Sequence, residues 1–136
     1  MVALHQDSAA AIDSLIVCKF TNMAVAEEYF ARALSAVTGV PFSTGDLIRA
    51  GERIWNLERL YNLREGFTRA DDTLPRRILD EPKAAGPSKG WVSHLPEMLD
   101  EYYAARGWDA NGAPGREKLA ELGLGPLLEQ APGVAR

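Results

Sequence analysis

Apolar positions recur at helical spacing along almost the whole chain, and no stretch alternates with a period of two for more than a few residues. Ile12, Leu15 and Ile16 share one side of a segment from about Ser8 to Val17, with Ser8 or Asp7 available as its cap. Ala26, Tyr29, Phe30, Ala33, Leu34 and Val37 then follow the rhythm of one wide apolar stripe. Thr21 or Asn22 opens that segment, and Gly39 with Pro41 stops it. Ser43-Thr44-Gly45-Asp46 starts the longest helix, which runs to about Glu65 and ends at Gly66. Leu47, Ile48, Ile54, Trp55, Leu57, Leu60 and Tyr61 supply its buried surface.

Residues 66–92 break this rhythm. Asp71-Asp72-Thr73 reads as a turn, and Pro75 opens a short helix through Leu79. The stretch from Pro82 to Gly90 is a loop within one domain, because helices of the same kind resume after it. Ser93 is placed to cap a helix carrying Leu95, Met98, Leu99, Tyr102 and Tyr103, which ends at Gly107. Trp108-Asp109-Ala110-Asn111-Gly112 is a turn, and Pro114 opens a last short helix with Leu119 and Leu122, closed by Gly123. The pattern predicts an all-α, irregular multi-helix domain of about five helices with long loops. It spans residues 1–124, with 125–136 as a flexible tail.

Composition narrows the class. The chain has 136 residues, 46% hydrophobic and 25% charged, as in one soluble globular domain. A net charge of −4 speaks against nucleic-acid binding, which needs a basic face for phosphates. No apolar run approaches the roughly 20 residues of a membrane span. The opening MVALHQDSAA lacks the basic and apolar regions of a signal peptide. With Cys18 the only cysteine, no internal disulfide forms, and a cytoplasmic location is expected.

Candidate chemistry read from the residues alone is sparse. His5 and His94 are far apart, with no nucleophile at a matching spacing. Asp109-Ala110-Asn111-Gly112 begins like a calcium loop but lacks the later oxygen ligands and reads as a plain turn. Arg49, Arg53, Arg59 and Arg64 alternate with Glu52, Glu58 and Glu65. That pattern is a solvated, salt-bridged flank, or else a row of guanidinium groups facing a partner or an anionic cofactor. Cys18 falls where the first helix should end. A free cysteine is most often a small buried hydrophobe. Asp13 lies five residues earlier, so the two serve one site only if the helix stops between them.

At this segment the string becomes specific. Gln6-Asp7, then Ala11-Ile12-Asp13-Ser14-Leu15-Ile16-Val17-Cys18-Lys19-Phe20-Thr21, resembles the Asp-x-x-Gly-Leu-Cys segment of the tungsten-pterin aldehyde:ferredoxin oxidoreductase family. Gly51-Glu52-Arg53-Ile54 and Arg59 through Arg69 look like the same family's last domain. So do Asp72-Thr73-Leu74-Pro75-Arg76, Tyr102 through Asp109, and Lys118 through Leu124. The resemblance covers residues 6–124 in order.

The resemblance implies the C-terminal part of an enzyme that oxidises aldehydes to carboxylic acids and passes the electrons to ferredoxin. Its cofactors would be a tungsten (or molybdenum) bis-pterin and a [4Fe–4S] cluster. By resemblance Asp13 would bind a pterin ring, since a carboxylate accepts two parallel N–H bonds from an amino-pyrimidinone edge. Cys18 would be one thiolate ligand of the cluster, and Val17 and Lys19 would flank the pterin through backbone groups. The cluster needs four such ligands. The family's other three, in a C-x-x-C-x-x-x-C arrangement, have no counterpart here. The expected partner is therefore an upstream portion of the same protein or a complementary subunit, with a homodimer through exposed apolar surface as a further expectation. The alternative is a non-catalytic helical interaction protein that keeps this family's fold. Ile16 stands where the family has glycine, a departure that bears on the pterin contact.

Overall fold

The computed structural model describes residues 1–126. It contains α1 (Val2–Ser14), α2 (Glu27–Thr38), α3 (Thr44–Arg64), α4 (Arg76–Asp80), α5 (Leu95–Arg106) and α6 (Arg116–Glu121). Two 3₁₀ turns, Lys19–Met23 and Arg69–Asp71, complete the element list. Among the described residues there is no strand, only one isolated antiparallel bridge between Trp108 and Pro114. The all-α expectation holds; among the described residues there are six α-helices, against about five expected. Of the expected tail, Gly125 and Pro126 are described, and residues 127–136 lie outside the described residues. No described helix is long and apolar enough to cross a membrane.

The long helix α3 organises the rest. Its start is fixed locally, as the sequence led one to expect. Asp46 N–H donates to Ser43 Oγ (3.1 Å), and Ser43 N–H donates to Asp46 Oδ2 (2.8 Å). This capping box satisfies amides that the first turn leaves without partners. The Ser43 side-chain and backbone hydrogen bonds hold the Asp46 carboxyl below its ordinary value. α1 lies along α3, and the two backbones meet at Gly51. A Cβ built there would sit 1.8 Å from the carbonyl oxygen of Asp7, so only a hydrogen atom fits.

Two small apolar clusters flank this crossing. Ala11 and Ile12 of α1, Phe30 and Ala31 of α2, and Leu47 of α3 form one, with Leu15, Val25 and Phe42 packed around it. Leu60 of α3 joins Leu119, Leu122 and Leu124 in the other.

Several local expectations are corrected. The first helix runs Val2–Ser14, so Asp7 and Ser8 lie inside it and not at its cap. Both are buried, and Ser8 Oγ donates to Glu27 Oε1 across to α2 (2.8 Å). Thr21 and Asn22 fall in a 3₁₀ turn, and α2 starts after Ala26. The α2 stripe is rotated: Phe30, Ala31 and Leu34 face inward, while Tyr29 and Val37 are exposed. Leu57 and Tyr61 of α3 are also exposed. His94, not Ser93, precedes α5, and Gly115, not Pro114, precedes α6. Gly107 ends α5 in the left-handed conformation, as expected (φ 67°). Asp109 closes its turn by accepting from the N–H groups of Asn111 (2.8 Å) and Ala113 (2.9 Å), which is a use of its carboxylate other than metal binding.

Two arginines stitch the helices together through a layer of aromatic rings. Arg106 is 2% exposed. Its Nη1 donates to Asp7 Oδ1 (2.5 Å), its Nη2 to Ala3 O (3.0 Å) and Gln6 Oε1 (2.8 Å), and its Nε to Tyr102 Oη (3.1 Å). Burial pushes the Asp7 carboxyl above its ordinary value, against the pull of Arg106. Arg59, read from sequence as part of a solvated flank or of a row facing a partner or an anionic cofactor, is instead buried within the chain. It donates to both oxygens of Asp72 (2.9 and 2.7 Å) and to Gly112 O (2.8 Å). Its guanidinium lies 5.2 Å from the Trp108 ring centre. Tyr103 Oη also donates to Asp72, and its phenol is pushed up to about 12 by burial and by that carboxylate.

Candidate functional site

The segment singled out by the sequence forms one compact turn. α1 ends at Ser14, with Leu15 as its C-cap. Leu15 N–H donates to Ile12 O (3.0 Å) and Ile16 N–H to Asp13 O (3.1 Å), which satisfies two of the last carbonyls of the helix. The helix therefore stops between Asp13 and Cys18, the condition for the two to serve one site. Cys18 is extended (φ −60°, ψ 124°) and caps the 3₁₀ turn that follows. Its carbonyl accepts from Thr21 N–H (3.0 Å) and Thr21 Oγ1 (2.6 Å).

Ile16 makes the reversal possible at a cost. It is the only non-glycine with positive φ among the described residues (57°). A β-branched residue in the left-handed region is strained by about 1–2 kcal/mol, whereas glycine is not. Its side chain is 93% exposed, so little packing offsets the strain. A glycine at this place would adopt the same φ without strain. Ile16→Gly is expected to raise stability by about 0.5–1 kcal/mol, part of the relieved strain being lost to the greater freedom of glycine in the unfolded chain. Thermal melts of the two proteins check this, and a lower midpoint for the variant would refute the strain.

The side chains of the turn face solvent. Cys18 is exposed, not the buried hydrophobe that free cysteines most often are. Ile16, Val17, Phe20 and Met23 around it are exposed as well, an apolar surface without cover in this chain. Asp13 and Lys19 close the turn from its two ends. Lys19 Nζ lies 3.1 Å from Asp13 Oδ1 and 3.0 Å from Oδ2. One donor reaching both oxygens means that both are open to the same direction, the arrangement a pair of parallel N–H donors requires. An exposed thiol and such a carboxylate on one turn fit the donor set expected for a pterin and a cluster ligand. Among the described residues, no group of three or more His, Cys, Asp or Glu side chains forms a metal site.

A family model described as aldehyde ferredoxin oxidoreductase, domains 2 and 3, matches residues 1–124. The chain belongs to the aldehyde ferredoxin oxidoreductase family. The tungsten-containing aldehyde ferredoxin oxidoreductase of Thermococcus kodakarensis is 46% identical over 129 residues, which is 94% of this chain and 21% of that protein. The enzyme of the same description from Pyrococcus horikoshii is 48% identical over 125 residues, 91% of this chain and 21% of that one. A more distant relative is the aliphatic sulfonate oxidoreductase, WOR-like subunit, of Pyrococcus furiosus, 33% identical over 134 residues, again 91% and 21%. A solved structure, the active-site complex of a benzoyl coenzyme A reductase with 1,5-dienoyl-CoA, superposes with a TM-score of 0.62 at 30% identity. The match covers 76% of this chain and 15% of that chain. The chain thus spans about a fifth of the curated relatives' length.

Sequence reasoning missed Asp7, Asp72 and Arg106, and misread Arg59. Each is polar in a region of Trp and Tyr, but nothing in a helical period says which arginine turns inward. Arg59 and Asp72 line a cleft of about 230 Å³ between α3 and α5, and Arg106 holds Tyr102 and Gln6 of its wall. Their charged groups are satisfied by one another, so the cleft reads as structural.

Proposed function

We propose that residues 1–124 are the C-terminal helical unit of an oxidoreductase that converts aldehydes to carboxylic acids and delivers the electrons to ferredoxin. In this reading the unit acts with an upstream portion of the same protein, or a complementary subunit, that supplies the remaining ligands. The observation that carries the proposal is the end of α1 between Asp13 and Cys18. It brings an accessible carboxylate and an exposed thiol onto one turn, in the order of the family's segment. The tungsten named in the curated relatives supports a tungsten bis-pterin as the redox group.

When bound, a metal–pterin centre would supply two-electron chemistry and a [4Fe–4S] cluster one-electron transfer. This chain's part is to bind and orient. Asp13 accepts the N–H pair of a pterin edge, Cys18 gives one thiolate to the cluster, and the backbone of Val17 and Lys19 lines the pterin. Ile16, Phe20 and Met23 exclude water from the site once the partner covers them. The uncovered apolar turn calls for a covering partner in either reading; the exposed thiol at its centre, together with the family membership, favours the enzyme part over an interaction module.

The test is metal content in the complete assembly. Cys18→Ala is expected to lose most of the cluster iron, since no second cysteine in the chain replaces the ligand. Asp13→Ala is expected to lower tungsten and pterin while leaving iron near normal. A charge-assisted hydrogen-bond partner is worth about 1.5–3 kcal/mol, so partial loss is expected. Full iron occupancy in the Cys18→Ala assembly would remove the cluster role of this turn.

A further inference from the structure

The ion pair between Asp13 and Lys19 has a consequence for cofactor loading. Lys19 Nζ sits 3.1 and 3.0 Å from the two carboxylate oxygens, so a single ammonium occupies the side from which paired donors would approach. Both side chains are about half exposed, 51% for Lys19 and 59% for Asp13. The pair is therefore weak enough to exchange. It also spans the Cys18 turn, joining the last turn of α1 to the first residue of the 3₁₀ turn. We propose that Lys19 is a displaceable placeholder at the Asp13 carboxylate: its side chain holds the turn closed until a ring edge with parallel N–H donors takes the same two oxygens. This inference rests on the pterin reading of Asp13 given above. It adds a role for the Lys19 side chain distinct from that of its backbone.

A placeholder makes a forecast opposite to that of a supporting charge. Lys19→Met removes the competitor and should load the ring more readily. Lys19→Arg puts a planar fork on the carboxylate, holds it harder, and should load less readily. If positive charge were simply needed nearby, arginine would match lysine and methionine would be the poor variant.

The experiment is tungsten and iron quantitation in the assembly of this chain with its upstream portion, expressed at limiting tungstate. Wild type, Lys19→Met, Lys19→Arg and Asp13→Ala are compared. Lys19→Met is expected to reach about two- to fivefold higher tungsten occupancy than wild type, the range an exposed ion pair supports, with Lys19→Arg below wild type. Iron per chain is the folding control. In the isolated chain, Lys19→Met should speed hydrogen exchange of the Thr21 amide, which the closed turn ties to Cys18 O (3.0 Å), by a similar factor. Equal tungsten in the two Lys19 variants, the reverse order, or unchanged exchange would overturn the placeholder role. If Asp13→Ala is still tungsten-poor in that case, the pterin reading stands and only the role of Lys19 falls. Normal tungsten in Asp13→Ala would defeat both.

Discussion

Gly51→Ala is expected to destabilise the chain by about 3 kcal/mol, although helix propensity alone forecasts the opposite sign. Gly51 lies inside α3, where alanine is favoured over glycine by about 0.8–1.0 kcal/mol. Against this, the new Cβ would lie 1.8 Å from Asp7 O and 2.5 Å from Asp7 C. Both are backbone atoms of α1, so no rotamer change relieves the clash and the helices must move apart. That separation loosens Ile12 from Leu47 and shifts the Arg106–Asp7 contact. Overpacking a close-packed interface costs about 1–3 kcal/mol, more where backbone meets backbone. A domain of this size is stable by only about 5–15 kcal/mol, so the loss is a large fraction. Urea unfolding of the two proteins gives the difference directly. A variant as stable as wild type would mean that α1 and α3 do not meet at Gly51.

Arg106→Met is expected to cost about 3–5 kcal/mol at neutral pH, the range for removing one partner of a buried ion pair. Methionine keeps much of the apolar stem between Trp55 and Tyr102 but leaves the Asp7 carboxylate without its guanidinium, and Ala3 O and Gln6 Oε1 each with one donor fewer, Gln6 still accepting from Tyr102 Oη. The deficit should depend on pH. Asp7 already has a raised carboxyl pKa in the folded chain, chiefly from burial, so the folded state holds a proton more tightly than the unfolded chain does. A carboxyl raised in this way takes stability from the fold as pH climbs from about 3.8 through the folded value, because ionisation is then harder in the native state. Without Arg106 to counter it, the shift grows and the affected window widens upward. The variant's deficit is therefore expected to shrink at pH 5 relative to pH 8. Melts at the two pH values check this, and a deficit that is the same at both would mean that Asp7 is not left as a buried charge.

Both predictions concern contacts that a helical period does not reveal. The pattern identified nearly every helix because apolar spacing, the Ser43–Asp46 capping box and the Gly107 stop act within a few residues of one another. It misplaced the start of α1 because Asp7 and Ser8 are good caps by residue type. In the fold, however, their side chains are claimed by Arg106 and Glu27, partners 99 and 19 residues away. It rotated the stripe of α2 because Tyr29 and Val37 are apolar by nature, and which edge of a wide stripe is covered depends on the neighbour. Arg59 looked like its exposed neighbours because four arginines on one helix have the same local sequence chemistry. Only the turn that brings Asp72 and the Gly112 carbonyl to α3 separates it from them.

The candidate site divides in the same way. The sequence by itself determined the helical class and most of the caps and stops, since these are local, but it ran α1 on to about Val17, where the structure ends it at Ser14. The tertiary structure decided what the residues of the turn can touch. It left Cys18 and its apolar neighbours uncovered, set both Asp13 oxygens on one ammonium, and forced Ile16 into a conformation that glycine would adopt freely. It also fixed α1 against α3 at a residue with no side chain. The physical reason is that propensity and capping act over one or two turns of chain. Burial, close approach and charge pairing depend on which distant segments arrive at the same place.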